Sequence, residues 1–179
     1  MIPLGTPCPD FALPTGDGAV HSRESCAGPN GLLVIFMCNH CPFVVHIAEA
    51  LAALGRDYAD SGIGIVAINS NDVANYPDDS PEQMVQIAAR WGLTYPYLYD
   101  ESQAVAHAFG AACTPDFFLH DHIGSLVYRG QLDSARPGSG VPVTGCDLRA
   151  AMDALLSGGA IPDEQVPSMG CNIKWKAAD

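Results

Sequence analysis

Two cysteines separated by two residues form the segment of this chain that is best suited to chemistry, Cys38-Asn39-His40-Cys41. A continuous apolar run from Leu32 to Met37 precedes it and is typical of a strand covered on both faces. Pro42 follows and suits a first helical turn. Free N–H groups at a helix start favour a thiolate by roughly 0.3 to 2 kcal/mol. We therefore predict that Cys38 attacks a disulfide and that Cys41 resolves the mixed disulfide.

His40 lies between the two cysteines and has two possible roles. An imidazolium beside the thiolate would stabilise the reduced form and make the disulfide a better oxidant. The alternative is a solvated loop side chain. Its position favours the tuning role.

A second motif, Cys113-Thr114-Pro115-Asp116, places a proline directly before an apolar strand, which needs a special backbone arrangement. We predict a cis peptide bond between Thr114 and Pro115, although few X-Pro bonds in folded proteins are cis. Cys113 would then lie near the cysteine pair, either as a third active thiol or as an ordinary buried cysteine.

The remaining pattern predicts an α/β protein with alternating strands and helices. We expect an N-terminal β-hairpin, a helix from Pro42 to near Gly62, a strand from Ile63 to Asn69, and a helix capped by Ser80. A final hairpin, a C-terminal helix and an irregular tail packed by Ile173 and Trp175 should follow. The expected segments are 97–99 (extended), 102–109 (helix), 116–120 and 125–129 (strands), and 147–156 (helix).

This order of motifs resembles the thioredoxin superfamily over roughly residues 30–157. The opening Pro7-X-Pro9-Asp10-Phe11, together with both cysteine motifs, is similar to the peroxiredoxin-like branch of the alkyl hydroperoxide reductase and thiol-specific antioxidant (redoxin) family. The resemblance implies a thioredoxin-like fold, in which a central mixed β-sheet is flanked by helices. It also implies a thiol-disulfide oxidoreductase.

The resemblance carries catalytic roles over to Cys38 as nucleophile, to Cys41 as resolving thiol and to Pro115 as the loop residue that faces them. His40 joins this catalytic set. Asn39, Cys113 and Thr114 are the candidate substrate contacts.

Two departures from the family patterns leave questions open. Ile35 stands where thioredoxin carries a buried acid, so the proton of Cys41 could pass to water, His40 or Asp116. Cys38 replaces the threonine that helps peroxiredoxins bind peroxide, and Pro115 occupies roughly the place of their activating arginine.

Three other assignments stay open at this stage. The first is a thiol peroxidase, and the second is a module that binds or delivers Cu(I) or zinc through Cys38, Cys41 and Cys113. The third is that Cys171, in the irregular tail, folds back as an extra resolving thiol. The polar segments 69–72 and 77–80 either border the site or form a solvated loop.

Composition narrows the class of partner. The 179 residues suit a single domain spanning 1–179, and a net charge of −12 disfavours nucleic acid and anionic membrane surfaces. Seven cysteines cannot all pair, which favours reactive thiols in a reducing compartment. We expect a cytoplasmic protein without a resident cofactor or metal, which acts on protein or small-molecule thiols and disulfides.

Overall fold

The computed structural model describes residues 2–177, and its elements alternate between strands and helices. The strands are β1 (Ala12–Pro14), β2 (Val20–Ser22), β3 (Gly31–Phe36), β4 (Ile63–Asn69), β5 (Tyr97–Tyr99), β6 (Cys113–Thr114), β7 (Asp116–Asp121), β8 (Leu126–Gly130) and β9 (Cys171–Asn172). The helices are α1 (Arg23–Cys26), α2 (Pro42–His46), α3 (Ala48–Asp57), α4 (Pro81–Trp91), α5 (Ala104–Phe109) and α6 (Cys146–Ser157), with a 3₁₀ turn at Pro77–Asp79.

A mixed sheet forms the centre of the protein. Strand β7 pairs antiparallel with both β3 and β8, whereas β4 and β5 pair parallel. The two groups lie side by side, and the Met37 amide donates a hydrogen bond of 3.0 Å to the Ile68 carbonyl. This arrangement confirms the predicted mixed α/β architecture and brings the end of β3 beside the start of β7, where Phe36 lies opposite Asp116.

Apolar side chains cover both faces of the sheet, as the unbroken apolar sequence of β3 requires. One cluster contains the fully buried Phe36, Phe109 and Phe118, whose rings meet edge to face. The other lies between the sheet and helices α2, α3 and α6, and it includes Cys38 and Cys41. The cysteine pair is therefore part of the hydrophobic core.

The predicted elements occur with small changes in their bounds. The N-terminal hairpin forms between β1 and β2, β4 and β5 match their predicted ranges, and the Ser80 hydroxyl accepts a hydrogen bond from the Gln83 amide at the start of α4. The helix predicted to run from Pro42 to near Gly62 is instead divided at Ile47, whose backbone is not helical, and ends at Asp57.

The C-terminal tail is mostly irregular but returns to the sheet region. Its short strand β9 pairs antiparallel with β6. Ile173 is buried, as predicted, while Trp175 is partly exposed and stacks on His107 with ring centroids 4.2 Å apart. Across residues 2–177, none of the helices combines the length and apolar character needed to cross a membrane.

Candidate active site

The Cys38-Asn39-His40-Cys41 segment links the end of β3 to the start of α2. Cys41 is the N-cap residue of α2 and Pro42 its first residue, as the sequence predicts. Backbone amides at the helix start favour the ionised form of each sulfur, that of Cys41 for Cys38 and that of Val44 for Cys41, although the Cys41 side chain forms no regular capping hydrogen bond. Both side chains are nevertheless almost inaccessible, with exposed fractions of 1% for Cys38 and 0% for Cys41.

The loop between β6 and β7 lies against the two sulfurs. Its Thr114–Pro115 peptide bond is cis, as predicted. The Cys41 sulfur lies 3.1 Å from the Thr114 carbonyl oxygen and donates to it only in its protonated form, and the Cys38 sulfur lies 3.5 Å from the Thr114 hydroxyl. The structure therefore brings Pro115 and Thr114 to the cysteine pair, although Thr114 is buried and contacts the thiols rather than open solvent.

The two thiols ionise as a coupled pair. The hydrogen bond from Cys38, followed by smaller contributions from Thr114, Cys171 and the Val44 amide, outweighs burial and lowers the pKa of Cys41 to about 4. The same hydrogen bond, with burial and the nearby Asp79 charge, raises the pKa of Cys38 well above its ordinary value. The coupling therefore favours a single negative charge on the reduced pair, with Cys41 as the more acidic of the two thiols.

A buried carboxylate, Asp79, lies next to His40 and Cys38. The Nδ1 atom of His40 is 2.7 Å from Oδ2 of Asp79, although it is not aligned for a regular hydrogen bond. The Asp79 side chain is fully buried, whereas that of His40 is 32% exposed. The charge of Asp79 opposes ionisation of Cys38. The effect of His40 on the thiols stays a prediction.

Amide donors hold Asp79 in place. Its Oδ1 accepts the Asn39 backbone N–H at 2.8 Å, and its Oδ2 accepts the Asn71 side-chain amide at 2.8 Å. The Asn39 side chain in turn donates to the Asp78 carbonyl at 2.9 Å and accepts the Tyr97 hydroxyl at 3.0 Å. Asn39 is thus occupied by internal hydrogen bonds, and its position does not support the predicted role in substrate contact.

Cys113 lies on the same loop as Thr114, and its thiol makes its hydrogen bond within that loop. Its thiol contacts the Pro115 carbonyl at 3.5 Å, and it is partly buried. Burial and, to a smaller extent, the charge of Asp116 raise its pKa to about 12. Such a thiol is almost entirely protonated at neutral pH, so Cys113 is a poor nucleophile in this arrangement.

Cys171 lies beside Cys41, because the tail folds back and pairs β9 with β6. The register places Cys171 directly opposite Thr114. Its side chain hydrogen-bonds to Cys41 and is only partly buried. The tail therefore folds back to the site, whereas the role of Cys171 as an extra resolving thiol stays a prediction.

Asp116 and Arg129 form a separate buried pair beyond the loop. An Arg129 nitrogen donates to Oδ2 of Asp116 at 3.2 Å and to the Gly110 carbonyl at 2.7 Å. Burial raises the pKa of Asp116 despite this partner. Because the carboxylate is engaged with Arg129 and with the Ala112 amide, its contacts do not favour it as the proton acceptor of Cys41.

Three potential metal ligands also meet at this site. The ligand atoms of Cys38, His40 and Asp79 all lie within 4.8 Å of one another. They form the one such group of three among the described residues, and they differ from the predicted trio of Cys38, Cys41 and Cys113. The predicted set of Cys38, Cys41 and Cys113 does not form a metal site, because the Cys113 thiol is directed toward the Pro115 carbonyl.

Two functional residues were not identified from the sequence. Asp79 lies in the polar segment 77–80 that was predicted as a possible border of the site, but nothing in the local sequence distinguishes it from its neighbours Asp78 and Asp72. Tyr97 was assigned only to a strand, and its hydroxyl orients Asn39. Their roles depend on the approach of β4, β5 and the 3₁₀ turn to the cysteine motif.

The family model of Redoxin matches residues 3–143, which contain both cysteine motifs and the cis-proline loop. The chain belongs to the Redoxin family. This confirms the family predicted from the motifs.

Relatives of the Redoxin-family chain support the predicted class of activity. The thiol-disulfide oxidoreductase ResA of Geobacillus thermodenitrificans is 27% identical over 126 residues, which cover 70% of this chain and 67% of the relative.

A solved structure with the same fold over nearly the whole chain is that of a hypothetical protein of Sinorhizobium meliloti. The two chains are 52% identical, the match covers 99% of this chain and 97% of that chain, and the TM-score is 0.97.

A more distant structure confirms the thioredoxin-like fold. A secreted disulfide oxidoreductase of Mycobacterium tuberculosis, described as homologous to DsbE, is 15% identical and has a TM-score of 0.62. The match covers 80% of this chain and 95% of that chain. At this identity it shows the fold alone.

Proposed function

We propose that this chain is a thiol-disulfide oxidoreductase that cycles Cys38 and Cys41 between two thiols and one disulfide. The placement of both sulfurs at the start of α2, with Thr114 in contact with each of them, carries this proposal, and their coupled ionisation favours one thiolate in the reduced pair. ResA relatives supply the class of reaction, and the cis-proline loop supplies the surface against which such a pair acts.

The charge distribution suggests how the first exchange proceeds. As the Cys38 sulfur attacks a substrate disulfide, its proton passes along the existing hydrogen bond to the Cys41 thiolate. One substrate sulfur leaves as a thiolate, and a mixed disulfide joins Cys38 to the other. The Cys41 sulfur then attacks Cys38, the Cys38–Cys41 bond forms, and the second substrate sulfur departs with the proton.

The burial of both sulfurs requires a local movement before a substrate can reach them. Cys38 lies beneath the partly exposed His40 side chain, within 4.8 Å of its ring nitrogen. Rotation of this ring would open a route to Cys38. Cys41 has no such route, because the Thr114 carbonyl and the tail lie against it. We therefore propose Cys38 as the attacking residue, Cys41 as the resolving residue and Pro115 as part of the surrounding loop.

Trapping with matched variants tests this assignment. Cys41→Ser should accumulate a mixed disulfide on Cys38 when it is mixed with oxidised glutathione, and Cys38→Ser should lose disulfide-reductase activity. Cys146→Ser is the control, because Cys146 is exposed at the start of α6, away from the pair. Full activity in Cys38→Ser, or a wild-type chain that forms no Cys38–Cys41 disulfide, would refute the proposal.

A second candidate function is the binding of zinc by Cys38, His40 and Asp79, whose ligand atoms converge. Sulfur, imidazole and carboxylate are all ligands that zinc accepts. Metal content after anaerobic purification is the measurement. Stoichiometric zinc that is lost in Asp79→Asn but kept in Asp78→Asn would support this function, and zinc-free wild-type protein would exclude it.

The proposal also covers peroxide reduction, the location of the protein and its partners. Peroxide reduction stays a prediction from the family resemblance, and peroxide consumption no faster than that of an ordinary thiol would reject it. We also propose a cytoplasmic location and partners that are protein or small-molecule thiols. Cell fractionation tests the location.

A further inference from the structure

The C-terminal tail places a third thiol against the buried cysteine pair. Strand β9 pairs with β6 so that Cys171 lies opposite Thr114, the residue whose carbonyl oxygen contacts the Cys41 sulfur at 3.1 Å. Cys171 also packs against the core cluster that contains Cys38 and Cys41. Two independent features of the fold, a strand register and a core contact, therefore locate Cys171 at Cys41.

The tail is closely fitted to the loop at this point. A Cβ atom on Gly170 would lie 2.0 Å from the Thr114 carbonyl oxygen and 3.1 Å from Cδ of Pro115. The tail backbone can approach the loop this closely only because residue 170 has no side chain. The contact fixes the position of the Cys171 side chain beside Cys41.

Cys171 differs from the other two thiols in its accessibility. Cys38 and Cys41 are 1% and 0% exposed, whereas Cys171 is only partly buried. A disulfide confined to Cys38 and Cys41 is difficult for a partner to reach. One that includes Cys171 reaches the protein surface.

We propose that Cys171 is a third redox thiol, which exchanges with the Cys38–Cys41 disulfide and carries the oxidised bond to the surface. This inference rests on the proposed function. In the exchange, the Cys171 thiolate attacks the Cys41 sulfur, the Cys41–Cys171 bond forms, and the Cys38–Cys41 bond breaks. Cys38 leaves as a thiolate and takes up the proton released by Cys171, so the number of oxidised sulfurs is unchanged.

The electrostatics of Cys171 are compatible with a step that occurs only after oxidation. Burial, together with the hydrogen bond and charge of Cys41, raises its pKa to about 11 in the reduced protein. Lys174 acts in the opposite direction. Once Cys41 is part of a disulfide its negative charge is gone, and Cys171 ionises more readily.

If Cys171 were only a small packing residue, the chain would form different disulfides from those that a third redox thiol predicts. We propose to treat the full-length Cys38→Ser chain with oxidised glutathione and to map its disulfides by mass spectrometry without reduction. The Cys41–Cys171 disulfide should form and glutathione should be released. The Cys38→Ser/Cys171→Ser chain, whose enclosed Cys41 has no thiol partner, should show no such disulfide and release no glutathione.

Reduction kinetics give a second measurement on chains that keep both active cysteines. The oxidised Cys171→Ser chain should be reduced by glutathione at least tenfold more slowly than the wild type, and Cys146→Ser should match the wild type. Unchanged reduction of Cys171→Ser, or absence of the Cys41–Cys171 disulfide in Cys38→Ser, overturns the inference. If the wild type itself forms no Cys38–Cys41 disulfide, the proposed function fails instead.

Discussion

The Nδ1 atom of His40 lies 2.7 Å from Oδ2 of Asp79, so a histidine within the cysteine motif is held by a buried carboxylate from a distant turn. The carboxylate also lies near Cys38 and opposes its ionisation. His40 and Asp79 therefore meet beside Cys38, although they come from different segments of the chain.

Removing the charge of Asp79 should make the disulfide a stronger oxidant. Asp79→Asn keeps an oxygen that can accept the Asn39 amide but no longer repels the negative charge that the reduced cysteine pair carries. The reduced form is stabilised, and the reduction potential should rise by on the order of 30 mV, which corresponds to about tenfold in equilibrium constant. Equilibration with a glutathione redox buffer measures this change.

Asp78→Asn is the matched control for this prediction. Asp78 is exposed, and only its backbone carbonyl contacts the site. Its potential should equal that of the wild type. A potential for Asp79→Asn that stays constant or falls would show that the Asp79 charge does not act on the pair.

The low pKa of Cys41 should depend on Cys38. In the wild type the thiolate absorbance in the ultraviolet should appear with a midpoint near pH 4. Cys38→Ala removes the hydrogen bond that contributes most to this shift, so the midpoint should move up by several pH units. Cys38→Ser retains a donor and should restore part of the shift, whereas an unchanged midpoint in Cys38→Ala would contradict the shared-proton arrangement.

Much of the scaffold could be predicted because its signals are local. The unbroken apolar residues of β3 and β4 indicate buried strands, and Ser80 followed by Pro81 marks the start of α4. The placement of Cys41 at a helix start follows from the same kind of pattern. These features depend on a few adjacent residues and are readable in the sequence.

The contacts that surround the cysteine pair could not be predicted in the same way. His40 and Asp79 lie 39 positions apart in the sequence, and Asp79 resembles any other aspartate in its loop. The break at Ile47 has no glycine or proline to mark it. The register of β6 with β9 joins distant segments of two residues each, too short for a periodic signal.

A histidine outside the site should make the protein sensitive to acid. His120 is 1% exposed, and neither of its ring nitrogens has a hydrogen-bond partner within residues 2–177. Burial lowers its pKa from 6.5 to about 4, so the unfolded chain binds the proton more tightly. Stability should therefore fall by roughly 2 to 3 kcal/mol as pH drops from about 6.5 to about 4.

Thermal unfolding of His120→Leu measures this contribution. The variant should lose less stability than the wild type over that pH range, because it has no buried imidazole to protonate. His122→Leu is the matched control, since His122 is exposed in the turn between β7 and β8. An equal acid dependence in His120→Leu and the wild type would assign the effect to other groups.

A single added carbon atom at position 170 should disturb the contact between the tail and the cis-proline loop. In Gly170→Ala the new Cβ would lie 2.0 Å from the Thr114 carbonyl oxygen, too close to be accommodated without separation of β6 and β9. Cys171 should become more exposed and react several-fold faster with iodoacetamide, while the Cys41–Cys171 disulfide should become scarce. Gly159→Ala, whose Cβ would meet its nearest atom at 3.4 Å, should leave both measurements unchanged. If Gly170→Ala alters neither, the tail is not held by this contact and Cys171 reaches Cys41 by another means.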